Sequence, residues 1–229
     1  MPLFLVNSFV FKVDCNMPIL SKGSTKILFI HIPKTGGSSV QTLFKQSGYE
    51  LSMFSITDFS EGCSPQHFHR DILLQKVDFS CLDVVFTIVR DPVIRLISEY
   101  NFRMDSRIKR GQPLIRISEW MKKTFTAYNT KPFIHDNHIR PQHEFIVPGC
   151  RVYRYEQGLE NIIAGLLIDN EIEVSDWPSG KLEQAQLAGK YIDKSNTLTM
   201  SDMITIRHFY RNDYQLLGYP INSEVIVNL

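Results

Sequence analysis

Residues 29–40, FIHIPKTGGSSV, constrain this chain more than any other stretch. An apolar run breaks at Pro33, a short turn of lysine, threonine, paired glycines and paired serines follows, and a helical pattern begins at once. Paired glycines let the main chain turn tightly and bring its N–H groups close to a ligand. A helix N-terminus at the same place adds partial positive charge, so the turn is built for an anion. Lys34 adds a full charge, and the hydroxyls of Thr35, Ser38 and Ser39 add donors beside the amides of Gly36 and Gly37. The order of residues is not that of a Walker A loop, where the lysine follows the glycines; here it precedes them. The pattern therefore argues against an ordinary magnesium-dependent ATPase or kinase.

A second motif, IVRDPVIRLISEY at residues 88–100, repeats the logic. Residues 82–89 (LDVVFTIV) are nearly all apolar and read as a central strand covered on both faces. Arg90 stands at its carboxyl end, where ligands bind in open α/β sheets. Pro92 suits the first turn of the helix that follows, and Ser98 lies on that helix. An arginine fork and a hydroxyl placed this way can grip one phosphate from two sides. Taken alone, Arg90 and Asp91 also suit a structural ion pair; the lysine–glycine turn upstream favours the ligand.

The remaining pattern is strand at 26–32, helix at 38–46, a helical stripe through Phe68, Ile72, Leu73 and Val77, the central strand, then helices from Pro92 and near 117–125. A short strand at 152–155, a helix at 158–168, a polar excursion at 169–196 and a closing amphipathic helix at 201–217 complete it. This alternation predicts an α/β fold: a P-loop-containing three-layer architecture with a central, mainly parallel sheet flanked by helices. Residues 1–22 read as an N-terminal extension and 23–229 as one domain, with Met17 an alternative start.

With 229 residues, 43% of them hydrophobic and 21% charged, the chain can bury a core without staples. A formal net charge of +1 gives no reason to expect nucleic acid as a partner. Cys15, Cys63, Cys81 and Cys150 form no CxxC pair, which points to free thiols in a reducing compartment. The apolar run at 3–11 is too short to span a bilayer and lacks signal-peptide flanks. His135, His138 and His143 fall close together, but without a helical i, i+4 ligand pair or an acidic pattern, so no metal is expected.

PKTGGSS followed by IVRDPVIRLISEY resembles the phosphosulfate and 3′-phosphate loops of sulfotransferases that use 3′-phosphoadenylyl sulfate (PAPS). The likeness is closest to the carbohydrate branch, the heparan and chondroitin sulfate enzymes and their bacterial relatives. SPQHFHRDIL, HIRPQHEFI, VYRYE and IRHFYRNDYQLLGY extend it over residues 26–219. The resemblance implies in-line transfer of a sulfuryl group from PAPS, without a metal, to an acceptor hydroxyl on a saccharide. Lys34 would hold the bridging oxygen, with Thr35, Gly36, Gly37, Ser38 and Ser39 around the phosphosulfate. Arg90 and Ser98 would hold the 3′-phosphate, with Arg154 a nucleotide neighbour. His138, Arg140 and Gln142 would line the acceptor cleft.

Histidine-using members of the branch carry their general base on the segment before the 3′-phosphate strand. That segment offers His67, with Asp71 at i+4 to orient it, and His69 as the second candidate. On one helix the two would point about 200° apart, so only one can face the site. Animal relatives are Golgi enzymes with an N-terminal anchor; none is read here, which implies a cytoplasmic, bacterial enzyme, unless an anchor has been removed. Two other functions stay open: a P-loop-type nucleotide kinase or NTPase, and a non-catalytic nucleotide-binding module. Neither the acceptor's identity nor the oligomeric state is readable.

Overall fold

The structure, a computed structural model, describes residues 19–52, 58–170, 190–192 and 195–221. Its sheet has five strands, β1 (Ile19–Lys22), β2 (Thr25–Ile30), β3 (Glu50–Ser52), β4 (Val84–Val89) and β5 (Arg151–Arg154), in the order β3-β1-β2-β4-β5. β2, β4 and β5 run parallel, with Ile27 opposite Val84 and Val89 opposite Arg154. β1 and β3 add an antiparallel edge, so the sheet takes in the last four residues of the stretch read as an extension.

Among the described residues seven helices cover the two faces: α1 (Gly37–Gln46), α2 (Arg70–Lys76), α3 (Pro92–Lys109), α4 (Ile117–Tyr128), α5 (Leu159–Asp169), α6 (Met200–Phe209) and α7 (Arg211–Leu217). Side chains alternate across a strand, so β2 and β4 supply two cores. Ile27, Phe29, Phe86 and Ile88 pack with Val40 and Phe44 of α1 and Ile163 of α5. Leu28, Ile30 and Val89 face the other way, onto Leu96 of α3, Met121 of α4 and Ile206 of α6. This is the three-layer α/β arrangement that the pattern predicts. Among the described residues no helix is long and apolar enough to cross a membrane.

Three helices differ from the pattern. The stripe expected as one helix at 65–77 is a 3₁₀ turn, Pro65–His67, then extended residues, then α2. The His67 carbonyl is taken by the Asn137 side chain (2.9 Å) rather than by a helical N–H. α3 runs on through the polar residues 105–109, whose Arg107 and Lys109 suit a helix C-terminus. The closing helix divides at Tyr210, which is buried and donates its hydroxyl to the Ile139 carbonyl (2.9 Å). Most of the polar excursion at 169–196, Trp177 included, lies outside the described residues, as do Cys15 and the apolar run at 3–11.

Candidate active site

The carboxyl ends of the parallel strands open onto a cleft of about 440 Å³. One wall is the turn between β2 and α1. Lys34 (φ 71°) and Gly36 (φ 92°) are left-handed, which curls the main chain over the start of α1. Gly36 caps that helix without any side-chain hydrogen bond, and no acidic residue stands in its first turn. The first N–H groups of a helix lack intrahelical partners, so this end is available to an anion. A Cβ at Gly37 would lie 2.0 Å from His31 Nε2, and one at Gly36 only 2.9 Å from the Tyr155 ring. The two glycines are thus required by packing as well as by the turn.

Arg90 leaves the end of β4, lies over the Tyr155 ring at 4.3 Å, and donates through Nη1 to the Lys34 carbonyl (3.3 Å). It therefore ties the two motifs together while lining the cleft with Ser38, Ser39 and Ser98. Lys34 Nζ sits over the Phe102 ring at 4.3 Å. Burial draws the Lys34 ammonium below its ordinary pKa, against the pull of Glu99. With Arg103 also at the wall, the cleft presents three cations to a ligand.

Facing them is a cluster of histidines. His67 and His138 have ring centroids 4.8 Å apart, and His31 and His67 5.1 Å. His67 Nδ1 lies 2.8 Å from Asp136 Oδ2, and Ser64 donates to the same carboxylate from its hydroxyl (2.7 Å) and its amide (2.6 Å). Burial pushes Asp136 up, but these donors, His67 first, hold it well below the usual carboxylate range. An ionised carboxylate only accepts, so His67 donates its Nδ1 proton to Asp136, which leaves Nε2 as the ring nitrogen available to a ligand.

His138 repeats the device: its Nδ1 lies 2.6 Å from Glu99 Oε2. Glu99 is held down at about 2, burial being outweighed by His138, Arg103 and Lys34. Burial also pulls His31 and His138 below their ordinary values, so both are neutral near pH 7. A nitrogen of His67, a nitrogen of His138 and an oxygen of Asp136 lie within 4.8 Å of one another, the group among the described residues with the composition to hold a metal.

Residues 17–220 match the family described as the Sulfotransferase family. The chain belongs to the sulfotransferase family. Comparisons with curated proteins and with solved structures returned no match.

For a sulfotransferase, the structure sorts the expected site residues into two groups. Lys34, Gly36, Gly37, Ser38, Ser39, His67, Arg90, Ser98 and His138 line the cleft. Thr35 does not: it is fully buried, and its hydroxyl donates to the Ile32 carbonyl (2.8 Å), so it braces the turn from beneath. His69 is turned away against Phe133, because the extended Phe68 between the two histidines separates them. Asp71 approaches His69 at 4.0 Å, and it is Asp136, not Asp71, that orients His67. Arg154 is bound to the carbonyls of Leu217 (2.8 Å) and Gly218 (2.9 Å), closing the end of α7. Arg140 pairs with Asn137 and Glu144. Gln142 accepts from the Arg90 amide (2.9 Å) and donates to its carbonyl (2.8 Å), fixing the loop from behind.

Sequence reasoning missed His31, Glu99, Phe102, Arg103 and Asp136 of this sulfotransferase. His31 is hidden inside an apolar run, and Asp136 sits two residues before the HIRPQ segment. Residues 98 and 102, and 99 and 103, do carry a signal, because i, i+4 pairs are neighbours on a helix surface. Asp136 reaches His67 from a left-handed turn in which His135, Asp136 and Asn137 have φ of 58°, 59° and 63°. Such residues cost about 1–2 kcal/mol each. The buried Asn137 holds the turn, bonding the His67 carbonyl and the Arg140 guanidinium.

Proposed function

We propose that this sulfotransferase moves the sulfuryl group of PAPS to a hydroxyl of a saccharide, as in the heparan and chondroitin sulfate branch and its bacterial relatives, with His67 as general base. One observation carries the reading. Across a single cleft, an imidazole backed by Asp136 faces a helix start that has no side-chain cap, is preceded by Lys34 and is tied to Arg90 through the Lys34 carbonyl. The donor set fits a nucleotide with two separate anionic groups: Lys34, Gly36, Gly37, Ser38 and Ser39 for the phosphosulfate, Arg90 and Ser98 for the 3′-phosphate. Tyr155 supports the Arg90 fork from its other side.

In this reading His67 Nε2 takes the acceptor's proton as the acceptor oxygen bonds to sulfur. The bond from sulfur to the bridging oxygen breaks, and its electron pair stays on the leaving phosphate. Lys34 and the helix amides neutralise charge where it develops, which is where preorganised donors lower a barrier most. Asp136 stabilises the imidazolium. A positioned base is worth about 10²–10⁴ in rate. The cytoplasm is the compartment assigned in this reading.

Thermal unfolding tests the donor site. Adenosine 3′,5′-bisphosphate in EDTA, at about 100 times its Kd, adds roughly 2.7 kcal/mol of stability, a rise of about 5–10 °C for a chain this size. The rise is expected to vanish in Arg90→Ala. A rise with ATP and magnesium alone, or with neither nucleotide, overturns the reading.

A further inference from the structure

The cleft holds two carboxylate-backed imidazoles where transfer to a hydroxyl needs one base. In both His67 and His138 a carboxylate engages Nδ1, Asp136 in one and Glu99 in the other, which leaves Nε2 as the nitrogen available to a ligand. Both rings line the same space, at 87° to one another. A ligand that engages both nitrogens brings two donors a short distance apart.

The backing carboxylates differ. Apart from His67, Asp136 is bonded by the neutral Ser64, so its charge is available to an imidazolium on His67. Glu99 is already offset by Arg103, whose Nε lies 2.5 Å from Oε1, so His138 has less to hold a second positive charge. The base role is therefore assigned to His67, and that of hydrogen-bond acceptor to His138. Beside them Phe102 lines the cleft, with Lys34 Nζ 4.3 Å and the His138 ring 6.0 Å from its ring centroid.

We propose that the acceptor is a vicinal diol on a sugar ring. The reacting hydroxyl donates to His67 Nε2, and its neighbour donates to His138 Nε2. The inference deepens the sulfuryl-transfer reading of the same cleft and rests on it. The paired lone pairs also suit a metal ion, but Lys34, Arg90 and Arg103 line the same cleft and disfavour a cation there.

The test is sulfate transfer from PAPS, in EDTA, to methyl pyranosides of several configurations and to their monodeoxy and mono-O-methyl analogues. On the wild-type protein, removal of the hydroxyl next to the sulfated one is expected to lower kcat/KM by 10-fold or more, since a site that hydrogen-bonds a substrate hydroxyl rejects the analogue lacking it. His138→Ala should lower kcat/KM on the diol and erase that discrimination, while the bisphosphate still raises Tm. Equal rates on diol and deoxy analogue, discrimination unchanged in His138→Ala, or transfer to simple alcohols and none of the diols would each overturn the proposal. So would activity lost in EDTA and restored by zinc, with the metal then on the histidine pair. Absence of any bisphosphate-induced shift would instead strike the sulfuryl-transfer reading itself. The analogue series needs no variant, so a folding defect in His138→Ala leaves the proposal testable.

Discussion

At Gly37 the space for one methyl group decides whether the turn and His31 can coexist. A Cβ there would stand 2.0 Å from His31 Nε2 and 2.2 Å from Cδ2, closer than real contacts allow. The obstacle is a ring packed against Phe29 (centroids 5.7 Å) and His67, so it cannot simply swing aside. Gly37→Ala is expected to cost about 1–3 kcal/mol, as overpacking does, and to weaken bisphosphate binding. Adding His31→Ala should recover part of both losses. Urea titrations of the two single variants and the double variant measure the coupling, expected at about 0.5–3 kcal/mol for residues in contact. Strictly additive losses would show that His31 is not what requires the glycine.

α3 is the element that assembles the site. From one stripe it sends Arg95 to the carbonyls of His138 (3.1 Å) and Arg140 (2.9 Å), Ser98 to the cleft, Glu99 to His138, and Phe102 and Arg103 to the wall. Its start is set by Asp91, whose Oδ1 accepts from the amides of Val93 (2.9 Å) and Ile94 (3.0 Å), with Pro92 at the first helical position. Losing such a cap costs about 1 kcal/mol, or about 2–4 °C in Tm. Asp91→Ala should show that drop in a thermal melt and keep its response to the bisphosphate. Loss of the response as well would make Asp91 part of the ligand site rather than a cap.

For the whole molecule, the buried histidines set the acid limit of stability. His69 is drawn down to about 4, by burial first and then by Arg140, and its Nδ1 is buried without a hydrogen-bond partner. His135 is likewise at about 4, from burial first and then Arg103. The folded protein keeps these rings neutral, whereas the unfolded chain protonates them near 6.5. Their contribution is complete above about pH 6.5 and is lost as pH falls from there toward 4. Glu99, with its folded value at about 2, adds a second loss from about pH 4.5 downward. Urea midpoints at a series of pH values should fall through both windows. His69→Phe should flatten the first while Glu99 still governs the second; an unchanged slope between pH 6.5 and 4 would show that His69 is protonated in the fold.

What the sequence determined was the chemistry that is contiguous along the chain. The strand–turn–helix at 29–40 and the strand–arginine–helix at 88–100 are legible because an anion cradle is built from neighbouring amides and one or two side chains. The central strands were legible because burial on both faces leaves them almost wholly apolar. β1 and β3 were not: β1 falls at the end of the stretch read as an extension, and the three residues of β3 carry too little alternation to register. Tertiary structure decided every partnership between distant residues: His67 with Asp136, 69 residues on, and His138 with Glu99, 39 residues back. It also turned Arg140, Gln142, Arg154 and His69 away from the cleft, toward backbone groups and side chains brought in by other segments. A hydrogen bond depends on direction and distance in space, and residue spacing carries neither once the chain leaves a regular helix or strand.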